Sequence, residues 1–204
     1  MSLMVDAHAA DMGVAVARPR GRPRSEAAAT AVLDAAYRLS ATVGLRGATM
    51  QSIAAESGVS KMTIYKWWDS RLALLIDAYM RQATLMLPIS ENEPPVDAIR
   101  AHALRYVDAL QGDLGRVQMA VLAECWAEHG NATMFVARYL SIRRALGVRV
   151  ILRGQETGQI RTDCAADALY DQIYGTIFYR YQFGFSGLAA GDVERLVRTV
   201  LLSA

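Results

Sequence analysis

The sequence holds few of the residues that form covalent, metal or membrane attachments. Its 204 residues include 2 Cys, too few for a disulfide framework and not arranged as a C-x-x-C motif. The 3 His are scattered, so no metal site is predicted. No apolar run approaches the ~18 residues of a spanning helix, and no apolar export signal opens the chain. We therefore expect a soluble, cytoplasmic protein with no membrane partner.

Signatures of catalysis and of nucleotide binding are also missing. The sequence has no P-loop and no G-x-S-x-G elbow. Gly112 and Gly115 form too short a pattern for a nucleotide fingerprint. Cys125 lies next to Trp126, and we expect it to be a small buried residue and not a nucleophile or redox sensor. The prediction is a protein that is not an enzyme and has no cofactor.

The composition does provide material for a folded core. Hydrophobic residues make up 53% of the chain and charged residues 21%, which excludes wholesale disorder. From position 25 onward apolar residues recur at helical spacing, as at Val32, Ala36 and Leu39. No convincing strand alternation interrupts this period. The pattern predicts an all-α fold of about nine helices.

Positive charge is concentrated near the N-terminus. The whole chain has a net charge of +2, but residues 18–68 carry 8 basic and 3 acidic side chains. Residues 18–24 alternate arginine with proline and glycine, which predicts a solvated cationic arm. Such a region suits a polyanionic partner. A chance fluctuation of surface charge is the alternative.

Residues 49–68 carry the most informative pattern. Thr49 can cap a short helix that ends at Gly58, and Ser60 can cap the next helix. Gly58 tolerates the positive φ of a tight turn, and the small Ala54 lets the two helices cross closely. This arrangement predicts a helix-turn-helix, whose second helix enters the major groove of DNA. A solvated helical hairpin in an unrelated all-α protein is the alternative.

The polar side chains of the second helix suit contact with DNA. Ser60, Lys61 and Thr63 lie at its N-terminal end, where such helices meet base edges and phosphates. A phenol, an indole and a further lysine follow within one turn and can contact phosphates. The arginine arm can reach a neighbouring minor groove. The candidates are Arg22, Arg24, Ser60, Lys61, Thr63, Tyr65, Lys66 and Trp67.

At this point the sequence resembles the N-terminal domain of the tetracycline-repressor (TetR) family of regulators. The resemblance implies a dimeric, all-helical, ligand-responsive DNA-binding protein, most often a repressor. Because its C-terminal domains diverge widely, the family's motif covers only about the first helices. The matching residues are Thr49, Ile53, Ala54, Gly58, Val59, Ser60, Thr63, Ile64, Tyr65, Trp68, Ser70, Arg71 and Leu74.

The resemblance also implies roles for single residues. Thr49, Tyr65 and Arg71 are expected to contact phosphates. Three positions depart from the family's usual pattern, which has a small residue, a phenylalanine and an acidic residue where this chain has Met62, Trp68 and Leu72. Because of these three departures, the sequence of the operator that this chain would bind cannot be inferred from the family. Contacts to bases or to the DNA backbone are expected from Lys61, Thr63 and Trp67.

We divide the chain into three parts. Residues 1–24 are a disordered tail and basic arm, 25–69 the helix-turn-helix domain with a three-helix head, and 70–204 a helical ligand-binding and dimerisation bundle. We predict a ligand-responsive repressor that acts as a homodimer on a near-palindromic operator of double-stranded DNA. A helical ligand-binding or adaptor protein with a degenerate head is the alternative, and Met62 is its sequence support.

Aromatic and methionine residues are frequent in the C-terminal part. They indicate either core packing or an apolar pocket between helices for an apolar or aromatic effector. Candidates that could orient such a ligand are Glu124, His129 and Gln172. The pocket candidates are Met119, Trp126, Phe135, Tyr139 and Tyr174.

The last two long helices each carry a broad apolar stripe. We expect these stripes to form a dimer interface. A two-fold dimer would place two recognition helices about one DNA turn apart. The interface candidates are Ile173, Ile177, Tyr181, Val193, Leu196 and Val197.

Overall fold

The computed structural model describes residues 26–202. Over these residues the secondary structure is α-helical, with one π-helical stretch and no strand, so the predicted all-α fold is confirmed. No helix in this range is long and apolar enough to cross a membrane. The α-helices are α1 (Glu26–Thr42), α2 (Gly44–Gly47), α3 (Met50–Ser57), α4 (Lys61–Trp67), α5 (Arg71–Met86), α6 (Pro95–Leu110), α7 (Asp113–His129), α8 (Thr133–Phe135), α9 (Ser141–Glu156), α10 (Ala166–Phe183) and α11 (Ala190–Leu201).

The first four helices form the head, and local sequence sets their ends. Thr49 caps α3 through a capping box with Ser52, in which each side chain accepts a hydrogen bond from the other residue's backbone N–H. Gly58 ends α3 with φ +70°, the left-handed conformation that glycine adopts without strain. Ile53 and Ile64 are fully buried, and α3 packs against both α1 and α4.

Helix α5 lies between the head and the rest of the chain. Ser70 caps it by accepting a hydrogen bond from the Ala73 N–H at 3.0 Å. The five consecutive residues 72–76 are all buried, because α5 packs against α1 on one side and α7 on the other. Close-packed interiors transmit displacements between neighbouring elements. Because α5 packs on both α1 of the head and α7 of the body, it connects the head to the body.

The C-terminal body is built around α6, α9, α10 and α11. Helix α9 packs on α6 and α10, and α11 packs on the same two helices. The α9–α10 crossing requires a glycine at position 147. A Cβ atom there would lie 2.2 Å from the Cε2 atom of Tyr170, so the Gly147 backbone contacts the ring directly.

A π-helical stretch, Val136–Leu140, joins α8 to α9. The sequence pattern predicts a long helix over about 132–156, and helical structure does run continuously over residues 133–156, but residues 136–140 of it are π-helical. Rings from the stretch and its flank surround Tyr79 of α5: the ring centroids of Tyr79 and Tyr139 are 4.8 Å apart, and those of Phe135 and Tyr139 5.1 Å. Packing of this kind across helices is not encoded in local periodicity. π-helical turns are frequent at functional sites.

Candidate DNA-binding head and effector cavity

Helix α4 presents a solvent-facing surface of polar and basic side chains. Met62 is 73% exposed and Tyr65 48% exposed, and Lys61 and Lys66 are exposed as well. The opposite side of the helix is anchored by the fully buried Ile64. The exposed surface therefore follows from the alternation of buried and polar positions along seven residues.

Hydrogen bonds fix the start of this surface. The Ser60 hydroxyl accepts from the Thr63 N–H at 3.2 Å, and the two hydroxyl oxygens are 2.8 Å apart. The Lys61 ammonium lies 5.9 Å from the centre of the Tyr65 ring, within cation–π range. Thr49 is exposed at the start of α3. The structure thus brings Ser60, Lys61, Thr63 and Tyr65 together at one end of α4.

Two other predicted contact residues, Trp67 and Arg71, are placed differently. Trp67 is half-buried and packs edge-on against Trp68, with ring centroids 5.9 Å apart. Arg71 points into the joint between head and body, where it donates to the Leu45 carbonyl at 2.8 Å and pairs with Glu124. Its guanidinium is therefore engaged within the protein and does not share the exposed surface of α4. Arg22 and Arg24 lie outside the described residues.

A chain of polar contacts joins the end of α4 to the π-helical stretch. Trp68, at the C-terminal cap of α4, is 2% exposed and its indole N–H donates to Asp77 Oδ2 at 2.9 Å. Arg138 Nη1 donates to both carboxylate oxygens of Asp77, at 2.9 and 2.8 Å. We call this set the Trp68–Asp77–Arg138 link. It connects α4, α5 and the π-helical stretch.

A cavity of about 450 Å³ lies on the other side of that stretch. It is enclosed by side chains from α6, α7, α9, α10 and the π-helical stretch itself. Its volume falls in the range of small-molecule sites, ~300–1,000 Å³. Of the predicted pocket residues, Phe135, Tyr139 and Tyr174 line it.

The remaining pocket candidates do not line this cavity. Helix α7 turns Gln118 and Leu122 toward the cavity. Met119 directly follows Gln118 and is rotated from it by about 100°, so it faces another direction. Trp126 lies one turn beyond Leu122, outside the lining, and is 57% exposed. The three polar candidates are also absent from the lining: Glu124 pairs with Arg71, and His129 and Gln172 are exposed.

The polar groups that do line the cavity were missed from the sequence. Arg143 is 7% exposed and His102 5% exposed. Arg143 Nη2 lies 2.9 Å from His102 Nε2, and His102 Nδ1 lies 2.6 Å from the Tyr174 hydroxyl. A guanidinium only donates, so His102 Nε2 accepts, and the imidazole proton is on Nδ1, which donates to Tyr174. The sequence signal that could have indicated this polar group is Arg143, a basic residue at a position of α9 that is otherwise apolar.

Burial keeps His102 neutral. The His102 pKa is lowered to about 3, mainly by desolvation and to a smaller extent by the positive charge of Arg143. The Tyr174 pKa is raised, first by desolvation and then by the neighbouring Tyr170. Tyr174 therefore keeps its proton. Because its oxygen already accepts from His102, its own O–H can donate to a further group.

Most of the predicted dimer-interface residues are buried within the single chain. Ile173 and Ile177 are fully buried, and Val193 and Val197 are 1% exposed, because these stripes pack α10 and α11 onto their own body. The two other candidates, Tyr181 and Leu196, are partly buried.

The exposed apolar surface of α10 lies on its other side. Tyr179, Phe183 and Phe185 are 56%, 60% and 52% exposed, with ring centroids 5.2–6.1 Å apart. We call them the aromatic cluster. The sequence stripes alone do not distinguish this side from the buried side, since both are apolar.

Comparison with known proteins agrees with this architecture. The family described as "Bacterial regulatory proteins, tetR family" matches residues 32–78, and "Tetracyclin repressor-like, C-terminal domain" matches residues 95–200. The HTH-type transcriptional regulator YdeS of Bacillus subtilis is 33% identical over 187 residues, 91% of each chain.

Solved structures share the fold. The TetR family transcription regulator SCO0332 superposes with a TM-score of 0.76 at 28% identity, over 85% of this chain and 96% of that chain. The regulator FadR of Bacillus subtilis, solved with stearoyl-CoA, gives a TM-score of 0.62 at 17% identity, over 84% and 97%. The chain belongs to the tetR family of helix-turn-helix, DNA-binding transcriptional regulators.

Proposed function

We propose that this regulator is a ligand-responsive repressor that binds a near-palindromic operator as a homodimer. One observation carries the proposal. The Trp68–Asp77–Arg138 link connects the exposed helix of the head to a π-helical stretch whose residues line the cavity. A ligand in the cavity and DNA on α4 therefore act on the same set of contacts. Because operator DNA lies in the cytoplasm, we place the protein there.

The proposed DNA contacts come from the head. Lys61 and Tyr65 lie next to each other on the exposed surface of α4, where an ammonium and a phenol can bind phosphates. Backbone and side-chain groups at the start of α3 and α4 position the helix on the duplex. The proposed contact residues are Arg22, Arg24, Thr49, Ser60, Lys61, Thr63, Tyr65, Lys66 and Trp67, and Arg71 once it leaves Glu124.

The proposed switch is a change in the position of α4 relative to the body. A ligand that contacts Val136 and Tyr139 presses on the π-helical stretch, which moves Arg138 and with it Asp77 and Trp68. The ligand favours whichever state it binds more tightly, and coupling of this kind is typically ~1–3 kcal/mol. Helix α5, which carries Asp77, is the connecting element.

The homodimer is proposed to form through the aromatic cluster. Three adjacent rings exposed on one end of α10 are a costly surface in water, and a two-fold partner removes them from solvent. The two heads of such a dimer would read two half-sites of one operator.

The second candidate is a ligand-binding protein whose head no longer binds DNA. The observation that favours it is Met62, which is 73% exposed in the middle of the proposed DNA-contact surface. A long apolar side chain there contributes no hydrogen bond to bases or phosphates.

Selection of bound sequences from a random duplex library, at two salt concentrations, tests the proposal. We expect an enriched near-palindrome that persists at the higher salt. Nonspecific retention that disappears with salt, without enrichment, would favour the degenerate head, because purely electrostatic binding falls with a slope near ~0.9 per neutralised phosphate.

A further inference from the structure

We propose that the cavity binds an apolar or aromatic compound that carries one carboxylate, and that the guanidinium of Arg143 binds the carboxylate. The inference rests on the cavity being the effector site of the proposed function and names the chemical class of that effector. It starts from the charges and hydrogen-bond partners of the lining.

Arg143 is a buried cation without an anionic partner. It is 7% exposed, and among residues 26–202 no carboxylate lies within ion-pair distance of it. Its two hydrogen-bond acceptors are neutral, the Leu87 carbonyl and His102 Nε2. A buried charge is ordinarily paired, because desolvating it is costly. An anion in the cavity would supply the missing partner.

The carboxylate that lines the cavity, Asp171, is already engaged. Asp171 accepts from Arg144 Nε at 2.8 Å and from Arg144 Nη2 at 2.7 Å, a bidentate pair. Gln118, another polar lining group, is satisfied by Tyr79 and Tyr106, at 2.6 and 3.1 Å. Arg144 is thus paired, and Arg143 is the arginine of the described lining that has no counter-charge.

A second group in the cavity can assist in binding a carboxylate. The Tyr174 oxygen accepts the Nδ1–H of His102, so its own O–H is available as a donor. Arg143 and Tyr174 are thus both held by His102, one at each ring nitrogen. Two donors at one end of a mostly aromatic cavity suit a carboxylate with an apolar body, since charge-assisted hydrogen bonds are the stronger ones.

The test compares an acid with its amide of the same shape. We would titrate 2-naphthoate and 2-naphthamide into the purified protein and follow the fluorescence anisotropy of the naphthalene. We expect the wild type to bind the acid at least tenfold more tightly than the amide. Arg143→Gln should remove that preference, because glutamine can still donate to the Leu87 carbonyl but has no charge. Arg143→Lys should retain part of it.

Two controls locate the effect. Arg149→Gln removes an exposed arginine of the same helix, which pairs with Glu91, and should leave the preference unchanged. Leu122→Trp fills the cavity and should weaken binding of both compounds. Equal affinity for acid and amide, a preference that survives in Arg143→Gln, or binding of neither compound would overturn the assignment.

Operator affinity, measured separately with and without the bound acid, keeps the two proposals apart. If the acid binds through Arg143 but DNA binding does not change, the proposed carboxylate site is supported and the proposed ligand-responsive repression is contradicted. If a neutral compound releases the operator while the acid does not bind, the repressor stands and the carboxylate site does not.

Discussion

His102 organises the polar side of the cavity through its two ring nitrogens. Its neutral state is a consequence of burial and of Arg143, and it fixes which neighbour donates and which accepts. Protonation of His102 would place two cations next to each other and would leave the guanidinium of Arg143 with the Leu87 carbonyl as its remaining acceptor. The residue therefore ties the stability of the body to pH.

The first prediction concerns this pH dependence. The folded pKa of His102 lies near 3 and the unfolded value near 6.5, so the unfolded chain binds a proton that the folded chain does not. The resulting stability is present above pH 6.5 and is lost as the pH falls toward 3. Between pH 7.5 and pH 5 we expect the wild type to lose ~2 kcal/mol more unfolding free energy than His102→Gln. Urea unfolding at the two pH values measures this.

The matched control is His129→Gln. His129 is exposed, so the variant should show the same pH dependence as the wild type. If His102→Gln and His129→Gln behave alike, the buried imidazole does not have the role assigned to it.

The second prediction concerns the surface of α4. Lys61→Ala removes a proposed phosphate contact and should lower the affinity for the selected operator. The slope of the logarithm of affinity against the logarithm of salt concentration should become shallower by about 1. Tyr65→Phe removes one hydroxyl and should weaken binding about 2–10-fold, since a hydrogen bond contributes ~0.5–1.5 kcal/mol. Electrophoretic mobility shifts over a salt series measure both effects.

Both variants should keep the wild-type melting temperature, because Lys61 and Tyr65 are exposed. Arg149→Ala, far along the chain and exposed, serves as the charge control. Unchanged operator affinity in Lys61→Ala and Tyr65→Phe would show that α4 does not bind DNA in this way.

At the scale of helices and turns, the sequence predicts the head better than the body. Thr49, Ser60 and Gly58 act through local hydrogen bonds and a local backbone angle, so their roles are visible in sequence order. Which side of α10 is buried depends on the helices that pack against it in the folded chain. Ile173 and Phe183 are equally apolar, and only the packing of α6, α9 and α11 decides which one is covered.

The cavity and the π-helical stretch could not be read from the sequence for the same reason. Phe135 and Tyr139 are pocket candidates of the sequence analysis and do line the cavity. The sequence indicates such single aromatic residues but not the space that they enclose. Arg143 was missed because its partners, Leu87 and His102, lie 56 and 41 residues away. Contacts of that separation leave no local pattern.

The third prediction tests the α9–α10 crossing. Gly147→Ala places a methyl group against the Tyr170 ring and should destabilise the protein by ~1–3 kcal/mol, as overpacking does. Gly175→Ala on α10 is the matched control, because a Cβ there meets nothing within 4 Å. It should be neutral or stabilise by up to ~1 kcal/mol. Chemical unfolding compares the two, and equal effects would contradict the crossing described.

At the scale of the whole molecule, the head, α5 and the body are one continuous packing unit. Helix α1 contacts α5 and α7, and two side chains of α5, Arg71 and Asp77, pair with Glu124 and Arg138. This continuity allows a cavity in the body to influence a helix in the head. The aromatic cluster is one apolar surface of the body that these intrachain contacts leave uncovered.

The fourth prediction concerns assembly. Phe183→Asp places a charge in the aromatic cluster and should convert the homodimer to a monomer in sedimentation velocity experiments. Its operator affinity should fall, because one head alone reads only half of a palindrome. Leu152→Asp, which changes a 46% exposed apolar residue of α9, should remain dimeric. A dimeric Phe183→Asp protein would place the interface elsewhere.

The measurement that tests the central claim most directly is the operator affinity of the wild type with the cavity empty and with it filled. The ligand would be a compound whose binding is lost in Leu122→Trp. We predict a ~5–150-fold weaker affinity with the cavity filled, and a ratio near 1 in Asp77→Asn, which weakens the Trp68–Asp77–Arg138 link. An operator affinity of the wild type that does not change when the cavity is filled would contradict the account.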